Sequence, residues 1–335
     1  MLKSFIVILM LVLSLFAEEY QEDSGYHLGE GTQVGELPLY IGGYFSLDYR
    51  NKDTENRYRL DDIAILGYGN YEKISYMAEF EFKEFYTLTE TNATYSTQQD
   101  RSLHTERLYV DYNFNENYML RVGKYNSQVG FWNLLPINVL RDTSSNPIST
   151  DILFPKFTTG LYASYTSYNE GELKIDTMLQ HNDDFDTSYN NYTLDEHYAL
   201  GIGYVKDDAE IKVNVGMFDR YLPNHNTQNL YYVLASLKYE TQSYKIMSEI
   251  GTQHSSDAFT TRYAGYLQGV YYFNEEHAGI VRLESYDDKQ NQQKDDFAVF
   301  GYTYRPLYPV ALKAEYQLHT LHEEDQFIFS FSVLF

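Results

Sequence analysis

Charged side chains recur at every second position in several stretches of this chain. In residues 73–85, Ser75, Met77, Glu79, Glu81 and Lys83 alternate with Ile74, Tyr76, Ala78, Phe80 and Phe82. A period of two puts the two sets on opposite faces of a β-strand. The same parity, followed through the other alternating stretches, collects ten basic positions (Lys83, Arg107, Arg121, Lys174, Lys212, Lys238, Lys245, Arg262, Arg282, Lys313) and eight acidic ones (Asp48, Glu79, Glu81, Asp111, Asp176, Glu249, Glu284, Glu315). The signs are near balance. Such groups can pair across strands and hold a sheet in shape, or they can face a water-filled space and act on charged solutes. Covalent chemistry has little to build on, because the chain holds no Gly-x-Ser-x-Gly, His-Glu-x-x-His or phosphate-binding loop. The runs from His181 to Asp186 and from His319 to Asp325 lack the Gly-bearing spacing of a calcium loop. They read as solvated acidic loops. No catalytic residue, metal ligand or cofactor is assigned, and a phospholipase-like barrel stands as the enzyme alternative on scattered Ser and His alone.

The elements that position these charges are strands. Alternation predicts sixteen, over residues 37–49, 57–71, 73–85, 104–114, 117–126, 157–168, 172–181, 196–205, 210–219, 228–239, 243–254, 259–273, 278–286, 296–304, 308–319 and 326–335. Most are of the ~9–11 residues that a tilted strand needs to cross a bilayer. In the last one, Phe327, Phe329, Phe331, Val333 and Phe335 share a face. Short polar turns alternate with longer loops, the asymmetry expected of an outer-membrane barrel with short inner turns and long outer loops. An even strand count brings both ends of the barrel to the same side.

Composition agrees with one face toward lipid and the other toward water. The chain holds 36 Tyr and 20 Phe, 17% aromatic residues in all, with a mean hydropathy of −0.48. Aromatic residues near strand ends, such as Tyr118, Tyr198, Tyr244 and Tyr308, suit interfacial girdles. A formal charge of −23 argues against a nucleic-acid partner. Cysteine is absent, so neither disulfides nor thiol chemistry enter. Residues 1–17, with Lys3 ahead of an apolar run from Phe5 to Phe16, read as a cleaved signal peptide. Residues 18–36 are acidic, lack periodicity and read as a mobile periplasmic lead-in, which leaves 37–335 for the barrel.

The longest interruption is 127–156. It carries the only Trp, Trp132, and apolar residues including Phe131, Leu134, Leu135, Ile137, Val139, Leu153 and Phe154. A loop this apolar must find cover. Folded inward, it would bring Trp132, Arg141, Asp142 and Asp151 to the charged wall. The candidate pore-lining set is then Glu79, Glu81, Lys83, Arg107, Asp111, Arg121, Trp132, Arg141, Asp142, Asp151, Arg262, Arg282, Glu284, Lys313 and Glu315.

The segments Glu106-Arg-Leu-Tyr-Val-Asp-Tyr-Asn-Phe114, Leu120-Arg-Val-Gly-Lys124 and Gly130-Phe-Trp132 resemble the strand, turn and strand leading into the constriction loop of Gram-negative outer-membrane porins. They are similar in particular to the phosphate-selective (O/P-type) family, although Val129-Gly130 stands where that family has Pro-Phe-Gly. The terminal strand is similar to the closing strand of such barrels. The resemblance implies a third outer loop folded into the lumen, and Phe335 read by the barrel-assembly machinery. It also implies a homotrimer in contact with outer-membrane lipid and lipopolysaccharide, and passive passage of small hydrophilic solutes. For ions it implies an anion or phosphate preference. The acidic outer loops point the other way, to a mild cation preference that fades at high salt. A structural or adhesive barrel is a further alternative.

Overall fold

The computed structural model describes residues 26, 27, 29–92, 94–222, 226–320 and 322–335. The signal-peptide expectation for 1–17 lies outside them. Sixteen long strands form the body: β1 (Tyr40–Lys52), β2 (Glu55–Tyr71), β3 (Ile74–Thr91), β4 (His104–Asn113), β5 (Tyr118–Asn126), β6 (Phe157–Tyr168), β7 (Glu172–His181), β8 (Glu196–Lys206), β9 (Ala209–Tyr221), β10 (Thr227–Glu240), β11 (Tyr244–His254), β12 (Phe259–Tyr272), β13 (His277–Asp288), β14 (Gln293–Leu307), β15 (Val310–His319) and β16 (Gln326–Leu334). Each pairs antiparallel with the next. β16 pairs with β1, from Gln326↔Lys52 to Leu334↔Tyr44, and the sheet closes on itself. The sixteen-stranded all-β barrel read from alternation is the one observed. No helix among the described residues is long and apolar enough to cross a membrane.

Closure divides the side chains of every strand between an inside and an outside. On β10, Leu230, Tyr232, Leu234 and Ser236 are buried while Tyr231, Val233 and Leu237 are exposed. On β13, Arg282 and Glu284 are buried between the exposed Val281 and Leu283. The distribution is inverted relative to a water-soluble sandwich, with charge inside and aliphatic side chains outside. Exposed aromatic residues gather near strand ends, as in Tyr118 with Tyr165 (ring centroids 4.9 Å apart) and Tyr271 with Phe273 (5.3 Å).

Three segments expected to be irregular are paired. β3 runs on to Thr91, and Thr94–Gln98 returns alongside it from Thr91↔Thr94 to Thr87↔Gln98. The Thr-rich sequence suits a ribbon but has no apolar alternation to announce one. β1 and β2 extend to a tight turn at Asp53-Thr54, with Asp53 at φ 45°. Within the lead-in, Tyr26–His27 pairs with Gly31–Gln33, which in turn pairs with β1.

The seam is held at its end by Phe335. Its N–H donates to Gly43 O at 2.8 Å and its carbonyl accepts from Gly43 N–H at 2.7 Å. A Cβ at Gly43 would stand 2.4 Å from Ala64 O and 3.0 Å from the Phe335 ring, so the close approach needs glycine there. Phe335→Asp is expected to lower the yield of folded barrel, because it removes an aromatic worth roughly 1–2 kcal/mol at an outward position and puts a charge there. Heat-modifiable gel mobility of membrane fractions checks it, with Phe335→Tyr as the conservative control. Normal insertion of Phe335→Asp would sink the role given to this residue.

Candidate functional site

Two bulges shape the acidic part of the interior. Between β1 and β2 the register slips from Phe45↔Ile63 to Leu47↔Leu60, and between β2 and β3 from Leu60↔Tyr86 to Asp62↔Lys83. The extra residue reverses parity at Asp61-Asp62. Arg59 and Asp61 face in on one side of it, and Asp62, Ala64 and Leu66 on the other. On β4 the register slips between Glu79↔Arg107 and Phe80↔Thr105, which turns Glu106 inward beside Arg107. Strict alternation misses Asp61, Asp62 and Glu106. Their only trace in the sequence is a pair of adjacent charges, Asp61-Asp62 and Glu106-Arg107, where one of the two should face lipid.

These carboxylates differ in what neutralises them. Glu79 is fully buried, pairs with Arg107 and accepts from the Tyr44 hydroxyl at 2.8 Å. Asp61 and Asp48 pair with Arg59 at 3.0 and 2.5 Å. Glu81 accepts from the Tyr189 hydroxyl and Asp62 from Ser46 Oγ at 2.8 Å, and Glu106 lies 3.1 Å from the Tyr44 hydroxyl, whose proton goes to Glu79. Among the described residues, no Lys or Arg pairs with these three.

Residues 127–156 pack against the inward parity of β9 to β16. Glu249 on β11 accepts from the N–H groups of Phe131 and Trp132, the latter at 3.1 Å. Gly130 makes that approach possible: its φ is +67°, and a Cβ would stand 2.6 Å from Glu249 Oε1. Val129, Leu153 and Phe154 join a buried apolar cluster with Phe218, Tyr232 and Leu234. Each fully buried side chain of this size contributes about 1.5–3 kcal/mol. Farther round, Glu284 accepts from Ile148 N–H at 2.8 Å, Arg282 donates to Thr143 Oγ1 at 2.7 Å, and Glu315 accepts from Ser145 Oγ at 2.5 Å. Lys313 donates to Asn138 Oδ1 at 2.9 Å.

The candidate residues therefore fall into groups with different work. Glu81, Lys83, Trp132 and Arg141 line one polar cavity of about 340 Å³, together with Asp61, Asp62 and Glu106. Arg282, Glu284, Lys313 and Glu315 hold the segment 127–156. Asp142 and Asp151 are paired, with Lys245 at 2.6 Å and Lys156 at 2.5 Å, and so add no free charge. Glu79 and Arg107 pair with each other, and Asp111 and Arg121 pair through two bonds of 2.6 and 2.8 Å. Arg262 departs from its expected inward position: a register slip at Thr261/Tyr263 breaks the parity, and its side chain is 62% exposed, 3.7 Å from Asp287. Lys124, fully buried against Asp184 at 2.8 Å, is a charge that the parity reading left out.

Arg141 is a basic group that residues 127–156 bring to the acidic wall, where Lys83 also lines the cavity. It donates to Leu135 O at 2.5 Å and to Asn146 Oδ1 at 2.9 Å. Burial lowers its pKa from the usual arginine range, and the negative field of Asp62 and Glu106 opposes that shift. The cavity thus has unpaired carboxylates on the β2–β4 side and a guanidinium on the segment opposite. Such an arrangement can orient charged groups.

Searches against protein-family models and against curated proteins found no match. Solved structures do match in fold. The outer-membrane channel DcaP of Acinetobacter baumannii is 10% identical, with a TM-score of 0.59 over 91% of this chain and 100% of that one. OmpF of Salmonella typhi, solved with daunomycin, is 11% identical, with a TM-score of 0.58 over 89% and 97%. An anion-selective porin from Comamonas acidovorans is 10% identical, with a TM-score of 0.57 over 89% and 99%. At these identities the likeness is one of fold: the chain is built on the sixteen-stranded barrel that these porins and channels share.

Proposed function

We propose that this chain is an outer-membrane porin, a passive water-filled channel for small hydrophilic solutes and ions, in which residues 127–156 lie within the lumen and narrow it. The observation that carries the reading is the inversion of the barrel: an aliphatic and aromatic exterior, a charged interior, and a polar cavity bounded by Glu81, Glu106 and Arg141. A barrel in hydrocarbon needs the first, and a route for hydrated solutes needs the other two. Export through a cleaved signal peptide, a periplasmic lead-in before the barrel, assembly as a homotrimer, recognition of Phe335 by the barrel-assembly machinery and contact with lipopolysaccharide belong to the same proposal. No bond is made or broken in this function. The barrel-enzyme and adhesive alternatives have no comparable support.

For ions we propose a mild cation preference. It rests on Asp62, Glu81 and Glu106, which lack basic partners, whereas two of the arginines that would govern an anion eyelet, Arg107 and Arg121, are neutralised by Glu79 and Asp111. That balance also weighs against a phosphate-selective channel.

Purified protein in a planar bilayer should give stable, stepwise conductance, and its absence from folded protein would favour the enzyme or adhesive readings. Shortening the chain between Gly130 and Phe154 should raise single-channel conductance and admit larger solutes. Unchanged conductance would mean that the segment lies away from the route. Reversal potentials across a KCl gradient should show a cation preference at low ionic strength that approaches neutrality near molar salt, as the screening length falls from ~8 Å at physiological salt to ~3 Å. An anion preference at both salt levels would return the phosphate reading.

A further inference from the structure

Residues 182–195 join β7 to β8 and carry Asp183, Asp184 and Asp186, which in sequence present an acidic outer loop. The loop is instead tied down on both sides. Toward the β4–β6 wall, Asp184 sits between Lys124 Nζ at 2.8 Å and Thr159 Oγ1 at 2.9 Å. Asp186 meets His104 Nδ1 at 2.9 Å and accepts from Thr105 N–H at 3.2 Å. Burial alone would raise the Asp186 carboxyl; bonds from Ser188, His104 and Thr105 outweigh it and hold the group below the usual carboxylate range. Toward the segment 127–156, Asn191 donates to Phe154 O at 2.8 Å and accepts from Lys156 N–H at 2.8 Å. Tyr192 donates to Ile152 O at 2.6 Å.

Between these two sets of ties stands Tyr189, which lines the same cavity as Glu81, Glu106 and Arg141. Its ring stacks on His104 (5.2 Å, 28°), meets Phe157 at 5.6 Å and lies 5.0 Å from Lys83 Nζ. Its hydroxyl has one proton to give, and gives it to Glu81; Glu106 Oε2 is 3.5 Å away. A ring held by these contacts subtracts its volume from the opening.

We propose that Tyr189 is a specificity-determining residue of the passage: its ring closes the side left open between 127–156 and the β3–β4 wall, and its hydroxyl masks a carboxylate from passing cations. The inference rests on the channel reading and adds a second inward loop to it. A cation then meets Glu106 and Asp62 directly and Glu81 only in competition with a phenol. The two effects are separable, because Phe keeps the ring and removes the bond, and Ala removes both.

The test uses the full-length protein in planar bilayers, with K⁺ and Cl⁻ for selectivity and tetraethylammonium as the bulky cation. Tyr189→Phe should keep the wild-type conductance and shift the KCl reversal potential toward cations. Tyr189→Ala should shift it likewise, raise conductance, and raise the permeability of tetraethylammonium relative to K⁺. Wild-type conductance and relative permeability in Tyr189→Ala would place the ring outside the passage, and an unmoved reversal potential in Tyr189→Phe would remove the masking role. If Tyr189→Ala does not fold, Tyr189→Leu gives the same comparison, since it keeps apolar contact with His104 and Phe157 in a shorter side chain. A wild-type protein that folds without conducting overturns the channel reading, and this inference with it.

Discussion

A strand surrounded by hydrocarbon can send its edge hydrogen bonds nowhere except to another strand. In this barrel the last edge is met by the first, along nine residue pairs from Gln326↔Lys52 to Leu334↔Tyr44, and the exchange between Phe335 and Gly43 completes the seam. Everything else depends on that closure. It makes an inside, so that a period-two pattern which could serve any half-buried sheet becomes a sorting of charge from lipid-facing surface. It also sets the width of the space that the interior side chains and loops must share.

Within that space a charge is tolerated only when something answers it, since stripping one partner from a buried pair costs about 3–5 kcal/mol. Most interior charges are answered by structure. Arg282 with Glu284, Lys245 with Asp142 and Arg107 with Glu79 each form close pairs, and Arg282 and Glu284 reach onward to backbone groups of 127–156. This segment is therefore held by both apolar cover and carboxylates that receive its N–H groups. The groups without an ion pair among the described residues, Asp62, Glu81, Lys83 and Glu106 on one side and Arg141 on the other, border the cavity. Structural charges and cavity-facing charges separate by this criterion, although their residue types are the same.

The bulges and residues 182–195 shape the cavity. An extra residue in β2 and another in β4 add acidic groups to a wall that perfect strands would have left with fewer, in line with the use of bulges to re-aim side chains at functional positions. Residues 182–195 then bridge this wall to 127–156. Their aspartates do not stand alike, for Asp184 is buried and Asp186 is bound by His104 and backbone.

The sequence by itself determined the strand count, the order of the barrel, which face of most strands is charged and where the long apolar segment interrupts them. These are local properties, set by alternation, turn residues and length, and closure follows from them because an open edge has no partner. It also carried Glu81, Lys83, Trp132 and Arg141 as candidates that the cavity brings together. It did not reach Asp61, Asp62 and Glu106, or the outward turn of Arg262, because a one-residue register slip reverses parity and depends on the neighbouring strand. Nor could it tell that Asp142 and Asp151 are neutralised, or that Tyr189, far along the chain from Glu81, covers it. Pairing across a barrel is decided by which side chains meet in three dimensions, and that is set only once all sixteen strands have closed.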